Sequence, residues 1–319
     1  MNYRTEPLSS MDRIEQLSSD TVIDILLLSA SVDRRGYMSL AKLHAKSIQP
    51  QRIIVFDYAK FRPNKDDTDA WDAYYSLSGS ESVQYVTCNG LEDDCSFLSE
   101  MSIDPNSSVY LDMTCFSIPD VFRIIFVLKE CLSFSCFNVI YTEPKYYYYQ
   151  NGIDFTYEQH LGELDYKPIL EYFTSAVSRD VILVCFLGFD RYISKYIYDR
   201  KEHSDVVPIN GFPAFYPKLK DISLQHNYEL LSTLGHGCVK YAQANDPFSA
   251  YNTLTAIKSK HPDALLDLCV LGSKPMALGA SIFALKNQKQ VKVSYPFPTQ
   301  YCNHTTLDAA HTWVYRFAL

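Results

Sequence analysis

The stretch FLGFDRYISKYIYDR, residues 186–200, follows the apolar run VILVC. It reads like SASVDRRGYMSLAKL, residues 29–43, which follows IDILLL. Each pairs a strand-like run with a sharp turn carrying Asp-Arg, then a helix-like segment. Asp33-Arg34 and Asp190-Arg191 are 157 residues apart. Four more landmarks keep that order and nearly that spacing. RIIVFDYAKFRP (52–63) matches DVVPINGFPAFYP ending at Pro217, 154 residues later. VQYVT (83–87) matches VKYAQ (239–243), 156 later. VYLDMTCFSIPDVFRIIFVLKE (109–130) matches LLDLCVLGSKPMALGASIFALK (265–286), with Pro119 and Pro275 again 156 apart. FNVIYTEPKYY (137–147) matches VKVSYPFPTQY (291–301), 154 later. Five landmarks in one order and register indicate two copies of one unit.

The pattern inside each copy sets the fold class. Apolar runs rich in Val, Ile and Tyr fall at 22–28, 52–57, 83–87, 108–113, 137–142, 181–187, 205–209, 238–242, 264–271 and 290–295. Helical patterns alternate with them near 37–47, 69–77, 93–101, 118–131, 166–175, 192–200, 223–233, 247–260 and 275–286. Near-continuous apolar strands alternating with helices predict a mainly parallel sheet covered on both faces. The expectation is an α/β protein of two tandem Rossmann-like domains. A polar segment occupies 1–20, copy one 21–159, a connecting helix 160–176 and copy two 177–319.

Composition narrows the function classes. The chain has 319 residues, 47% of them hydrophobic, enough for a large core, and length alone suggests about two domains. Its formal net charge of -8 disfavours broad binding to long nucleic acid or to anionic membrane, which need an extended basic face. It leaves room for one small anion held by local donors. The polar N-terminus lacks a secretory pattern, and the longest apolar runs are too short to span a bilayer. Nine cysteines, several inside apolar runs and none in a CxxC pair, suit a reducing cytoplasm.

In an open parallel sheet, ligands bind at the carboxyl ends of strands, beside helix N-termini. That rule selects Ser29, Ser31, Asp33 and Arg34 in copy one, then Asp112, Thr114 and Ser117, then Thr142, Glu143 and Tyr146. In copy two it selects Gly188, Asp190, Arg191, Asn210 and Gly211, then Gly272, Ser273 and Lys274, then Pro298 and Tyr301. The stretch VLGSKPMALGA (270–280) is the most informative. Gly272 suits a tight turn, Ser273 a helix cap, and Pro275 the first helical position. Lys274 would stand at the positive end of the helix dipole, where an anion can be held; alternatively it is an exposed lysine on a plain turn. Copy one keeps Ser117 and Pro119 but carries Ile118 in place of Lys274. The repeated Asp-Arg has two readings as well: arginines that grip phosphate, or aspartates that cap helices beside solvated arginines.

Other patterns carry less. KYYYYQ (145–150) could stack bases or pack as an amphipathic edge. Cys302, His304 and His311 lack a fourth metal ligand at a familiar spacing, so no metal is expected. HGC (236–238) is not a nucleophile elbow, and neither a GxxxxGK[ST] nor a GxGxxG motif occurs. No cofactor and no recognisable catalytic motif are expected.

The segment LGSKPMALGASIFAL resembles the signature turn of CRISPR-associated Rossmann-fold (CARF) sensor domains, a Gly-Thr-Lys-x-Met stretch after a late strand. Gly272, Ser273, Lys274 and Met276 fall in line with it, and the SxDR loop after the first strand lies where that family contacts its ligand. Two such units in one chain resemble the fused arrangement of SAVED domains. The resemblance implies a sensor that binds a cyclic-oligonucleotide-like ligand between paired copies and signals to a partner effector chain in antiviral defence. The alternatives are a nucleotide-cleaving enzyme using Ser31, Asp33, Glu143 and Tyr146, and a ligand-free interaction subunit rich in Tyr and Phe.

Overall fold

A computed structural model describes residues 10–31, 33–58, 82–88, 98, 101, 103–147, 160–170, 180–235, 237–301 and 306–318. The apolar runs are strands, and their burial explains why. Every residue of β2 (Ile25–Ser29) is buried, as are all but the first residue of β3 (Arg52–Tyr58) and of β8 (Val181–Phe186). Strands covered on both faces need apolar side chains pointing both ways, which is why they read as continuous runs. Ile25, Leu27, Val184 and Phe186 are each at most 5% exposed.

The chain divides into two units. The first comprises residues 1–120, 126–156 and 303–319, the second 121–125 and 157–302. The first holds a seven-stranded sheet, and β2, β3, β4 (Val83–Cys88), β5 (Val109–Asp112) and β6 (Cys136–Tyr147) form its parallel part in the order β4-β3-β2-β5-β6. The second holds a six-stranded sheet. Its parallel part is β10-β9-β8-β11-β12, with β9 at Asp205–Gly211, β10 at Lys240–Ala242, β11 at Leu265–Val270 and β12 at Val291–Tyr301. The two orders are identical. Strand starts at 25, 52, 83, 109 and 136 recur at 181, 205, 240, 265 and 291, so the duplication read from the sequence is a duplication of topology. The protein is an α/β chain with two mainly parallel, Rossmann-like sheets.

Helices connect the strands. After β2 comes α1 (Met38–Ala45), and after β5 comes α2 (Ile118–Phe126), whose residues 121–125 belong to the second unit and which runs into a π-turn at Val127–Cys131. In the second unit, α3 (Ile193–Arg200) follows β8. Next, α4 (Pro217–His226) and α5 (Tyr228–Leu234) follow β9, α6 (Pro247–Lys260) follows β10, and α7 (Lys274–Lys286) follows β11. Asp246 caps α6 by accepting from the Phe248 N–H at 2.8 Å, and Pro247 opens it. Helices α6 and α7 approach closely at Gly279: a Cβ there would lie 2.1 Å from the Pro247 carbonyl oxygen. The helical pattern near 69–77, and that near 93–101 apart from Leu98 and Met101, lie outside the described residues.

Three strands depart from the sequence expectation. Residues 160–168, expected to begin a connecting helix, are strand β7 (His160–Pro168), antiparallel to β12. Residues 306–318, expected within copy two, are strand β13 (Thr306–Ala318), which pairs antiparallel with β6 in the first sheet. Part of the polar segment 1–20 is strand β1 (Ser10–Arg13), paired with β13. The physical reason is shared. The outer edge of each fifth parallel strand has unpaired N–H and C=O groups, and an antiparallel neighbour satisfies them. The strand that follows β6 in the chain completes the second sheet, and the strand that follows β12 completes the first.

Candidate functional site

In the first unit the loop after β2 is tied down by its own polar groups. The Tyr37 hydroxyl donates to the Ser31 carbonyl and accepts from the Ser31 N–H, both at 3.1 Å. The Ser31 hydroxyl accepts from the Asp33 N–H at 2.9 Å. Asp33 caps the 3-10 turn Arg34–Tyr37 through the Arg35 N–H at 2.9 Å. The arginine that pairs with Asp33 is Arg35, at 2.7 Å from Nη2 and 3.0 Å from Nε, while Arg34 is exposed. Nη1 of Arg35 donates to the Thr142 carbonyl at 3.0 Å, joining the loop to β6. Burial of Arg35 opposes its charge, but the Asp33 carboxylate outweighs it and holds the guanidinium protonated.

Thr114 and Ser117 have structural duties. The Thr114 hydroxyl accepts from the Thr142 N–H at 3.0 Å, and its own N–H donates to Asp112 at 2.9 Å. The other Asp112 oxygen accepts from the Ser39 hydroxyl. Ser117 caps α2 in a reciprocal box with Asp120: its hydroxyl donates to the carboxylate at 2.6 Å and accepts from the Asp120 N–H at 3.2 Å. Glu143 is buried on β6 and accepts from the Trp313 indole N–H at 2.6 Å. The Arg13 guanidinium lies 3.9 Å from the centre of the Trp313 ring. Burial pushes the Glu143 carboxyl up, and the Trp313 bond and the Arg13 charge only partly oppose it. Tyr146 is half exposed, with Lys145 beside its ring. Ser31 and Asp33 are both engaged in hydrogen bonds within the loop.

In the second unit the corresponding turn follows β8. The Gly188 carbonyl accepts from Asn227 Nδ2 at 3.0 Å and from the Ser223 hydroxyl at 3.1 Å. Gly188 has no room for a side chain, since a Cβ would lie 2.1 Å from the Leu271 carbonyl oxygen. Asp190 is buried and Arg191 exposed. Tyr192 stands at the N-cap position of α3 with φ 65 and is 59% exposed. Asn210 is buried and spans to the Lys220 carbonyl at 3.1 Å.

The turn after β11 forms as its sequence suggests. Ser273 caps α7, accepting from the Met276 N–H at 3.3 Å and donating to the Ala244 carbonyl. Lys274 is half-buried in the first turn, next to buried Pro275. Gly272 answers to no steric demand: a Cβ there would meet Met276 and Phe186 at an ordinary 3.4 Å. The two copies differ here in charge. Three residues after the cap serine, the first unit has Asp120, whose carboxylate occupies the helix N-terminus. The second has Met276 there, and no acidic residue in the first turn of α7. The positive helix end thus has an internal carboxylate in α2 and none in α7, where Lys274 stands in the first turn.

Tyr301 ends β12 opposite His160. Cys302, His304 and His236 lie outside the described residues, and among those described no group of three metal-ligating side chains occurs. A surface cavity of about 330 Å³ lies at the opposite, amino end of the second sheet, lined by residues including Asp180, Asp205, His261 and Asp263. Its carboxylates disfavour an anion. No helix among the described residues is long and apolar enough to cross a membrane.

Sequence reasoning missed Arg35, Arg13 and Trp313. Arg35 stands beside Arg34 in an Arg-Arg pair, and only the turn geometry selects which one points inward. Trp313 belongs to a segment expected within the other copy, 177–319, with no strand expected there.

No protein-family model matches the chain, and no curated protein matches it. Among solved structures it is similar to a protein described as a candidate universal stress protein of Pseudomonas aeruginosa UCBPP-PA14, with 8% identity and a TM-score of 0.25 over 89% of this chain and 95% of that one. It is similar to a functionally unknown protein of Pseudomonas aeruginosa PAO1, with 8% identity and a TM-score of 0.24 over 89% and 94%. A third similarity is to phosphoethanolamine N-methyltransferase 1 of Haemonchus contortus, with 6% identity and a TM-score of 0.25 over 93% and 88%. Scores this low carry no functional argument, and the fold assignment rests on the strand orders above.

Proposed function

We propose that the protein is a binding module for a small nucleotide-derived anion, held at the carboxyl edge of the second sheet, that signals to a partner effector chain. The observation that carries this reading is the contrast between the two cap turns. Asp120 fills the N-terminus of α2, whereas the first turn of α7 has no acidic residue and carries Lys274. Helix N-termini of this kind suit phosphate, and the location agrees with the general rule for open parallel sheets. The resemblance of Gly272-Ser273-Lys274-Pro275-Met276 to the CARF turn supports a cyclic-oligonucleotide-like ligand and a role in antiviral defence.

A thermal-shift titration tests the reading with cyclic oligoadenylates, linear oligoadenylates and AMP. A ligand that binds only the folded chain raises the midpoint saturably. The expected result is such a rise with at least one of these anions, abolished or reduced in Lys274→Ala. No rise with any of them sinks the reading and favours a ligand-free interaction subunit.

A further inference from the structure

One buried carboxyl of the second unit has no counterpart in the first. Asp267 is the third residue of β11, opposite Leu183 of β8, and is 4% exposed. The equivalent place, third in β5 and opposite Leu27 of β2, is held by Leu111, which is fully buried. The fold therefore accepts leucine at this place. Replacing a buried ion by an apolar residue of similar size is often neutral or stabilising, so the carboxyl is a poor device for stability.

Neighbouring elements close over it. The Ser294 hydroxyl of β12 donates to Oδ1 at 3.0 Å. Tyr166 of β7 sets its buried hydroxyl against Ser294 and Asp267. Cys185 of β8 and Cys269 of β11, opposite each other in register, are fully buried in the same core. Lys292, opposite Asp267 on β12, and Lys201, the C-cap of α3, supply positive charge. The Lys201 ammonium lies 4.6 Å from the centre of the Tyr166 ring, and among the described residues no ammonium forms an ion pair with Asp267. The other side chains that α3 and α5 bring to this core include Tyr196, Tyr198 and Leu230. Burial raises the Asp267 carboxyl above its ordinary value of 3.8, and the lysines and Ser294 only partly oppose it. Burial also pushes the Tyr166 phenol and the Cys269 thiol up, away from the acidic range, while burial and Lys292 pull Lys201 down from 10.5.

The strand with least to hold it is β7, the last in its sheet's order, paired to β12. Its Asp165 is exposed and Leu164, Tyr166, Lys167 and Pro168 are half-buried, whereas β11 is buried from its second residue on. Edge elements of this kind open at lower free energy than the centre of a sheet. Lifting β7 removes Tyr166 and lets water reach Asp267. We infer that Asp267 is a proton-operated latch on β7, closed while the carboxyl holds its proton and loosened when it ionises. The closed state binds the proton more tightly than the opened one, where the carboxyl meets water at its ordinary value. The latch is thus fully engaged below 3.8 and weakens as pH rises through the raised value. It does not depend on the ligand proposed above.

Hydrogen-exchange mass spectrometry of the full chain between about pH 4 and pH 8, corrected for the intrinsic pH dependence of amide exchange, tests the latch. In wild type the opening constant of peptides from 164–170 should rise by up to about tenfold per pH unit above 3.8 and then level off. Asp267→Asn keeps an acceptor for Ser294 and cannot ionise, so its β7 peptides should show no such rise. Asp267→Leu, with the residue of the sister strand, should behave in the same way and serves in its place if Asp267→Asn does not fold. Peptides of α6, which packs on α7, should keep their protection in every chain. A β7 profile that is flat in wild type, or equally steep in Asp267→Asn, overturns the latch. Equal loss of protection at β7 and α6 also overturns it, since the carboxyl would then act on the whole unit.

Discussion

The Arg35 guanidinium grips the Asp33 carboxylate through Nε and Nη2 and, with its remaining Nη1, reaches the Thr142 carbonyl 107 residues further along the chain. One side chain therefore closes the loop after the first parallel strand onto the fifth. Removing it takes the charged partner from a largely buried carboxylate and one donor from the Thr142 carbonyl. Arg35→Ala should cost about 3–5 kcal/mol, as for other broken buried pairs. Arg34→Ala, at an exposed neighbour, should change stability by about 0.5 kcal/mol or less. Urea denaturation of the two variants checks the contrast, and equal losses would show that the pair has been misassigned.

Two glycines of the second unit should respond oppositely to a methyl group. Gly188→Ala drives a Cβ into the Leu271 carbonyl oxygen, a backbone atom that cannot swing aside. A loss of about 2–3 kcal/mol or more is expected, at the upper end for overpacked sites. Gly272→Ala meets only ordinary contacts and should stay within about 1 kcal/mol of wild type. If Gly272→Ala folds normally but weakens ligand binding, the glycine is there for what approaches it.

The Glu143 carboxyl should leave a signature in the pH dependence of stability. Its pKa is raised in the folded chain above the ordinary value of 4.5, chiefly by burial. Across that window the folded state keeps a proton that the unfolded state has released. The folded state binds more protons, so this group's contribution to stability falls as pH rises from about 4.5 through the raised value. Glu143→Gln keeps an acceptor for the Trp313 indole and removes the charge. Its melting midpoint should fall less than that of wild type between pH 4.5 and pH 7. Parallel curves would place the burial penalty elsewhere.

Lys274→Ala should weaken binding of a phosphate-bearing ligand roughly 10- to 150-fold, the equivalent of about 1.5–3 kcal/mol for a charge-assisted contact. Ile118→Lys in the first unit should create no matching site, because Asp120 already occupies that helix end. Titration calorimetry on both variants decides the matter. A new site in Ile118→Lys would show that the internal carboxylate does not block anions.

Much of the parallel architecture was legible because strands buried on both faces leave continuous apolar runs. The antiparallel strands were not. Leu161, Leu164 and Pro168 of β7 sit at helix-like spacing within HLGELDYKP, and Asp165 is exposed, as on a strand that is covered from one side only. In β13 the buried residues include Thr312, Val314, Tyr315 and Phe317, a pattern broken by the register shift between Ala309 and Thr312. At the site, the cap turn Ser273-Lys274-Pro275 was readable because its chemistry is local. The choice of Arg35 over Arg34, and the pairing of Glu143 with Trp313, depend on partners over a hundred residues away. No local pattern records them.

The crossing of β7 and β13 into opposite sheets imposes an order on synthesis. While a ribosome makes the chain, β6 emerges early, but the strand that covers its outer edge begins at Thr306, 159 residues after Tyr147. At usual elongation rates of about 5–20 residues per second, that edge waits roughly 8–30 seconds for its partner. During the interval it is an open template for any other nascent chain. Each half of the gene, expressed alone, should yield a sheet with the same exposed edge and a surplus strand that fits its sister. The two fragments should therefore be insoluble apart and recoverable together.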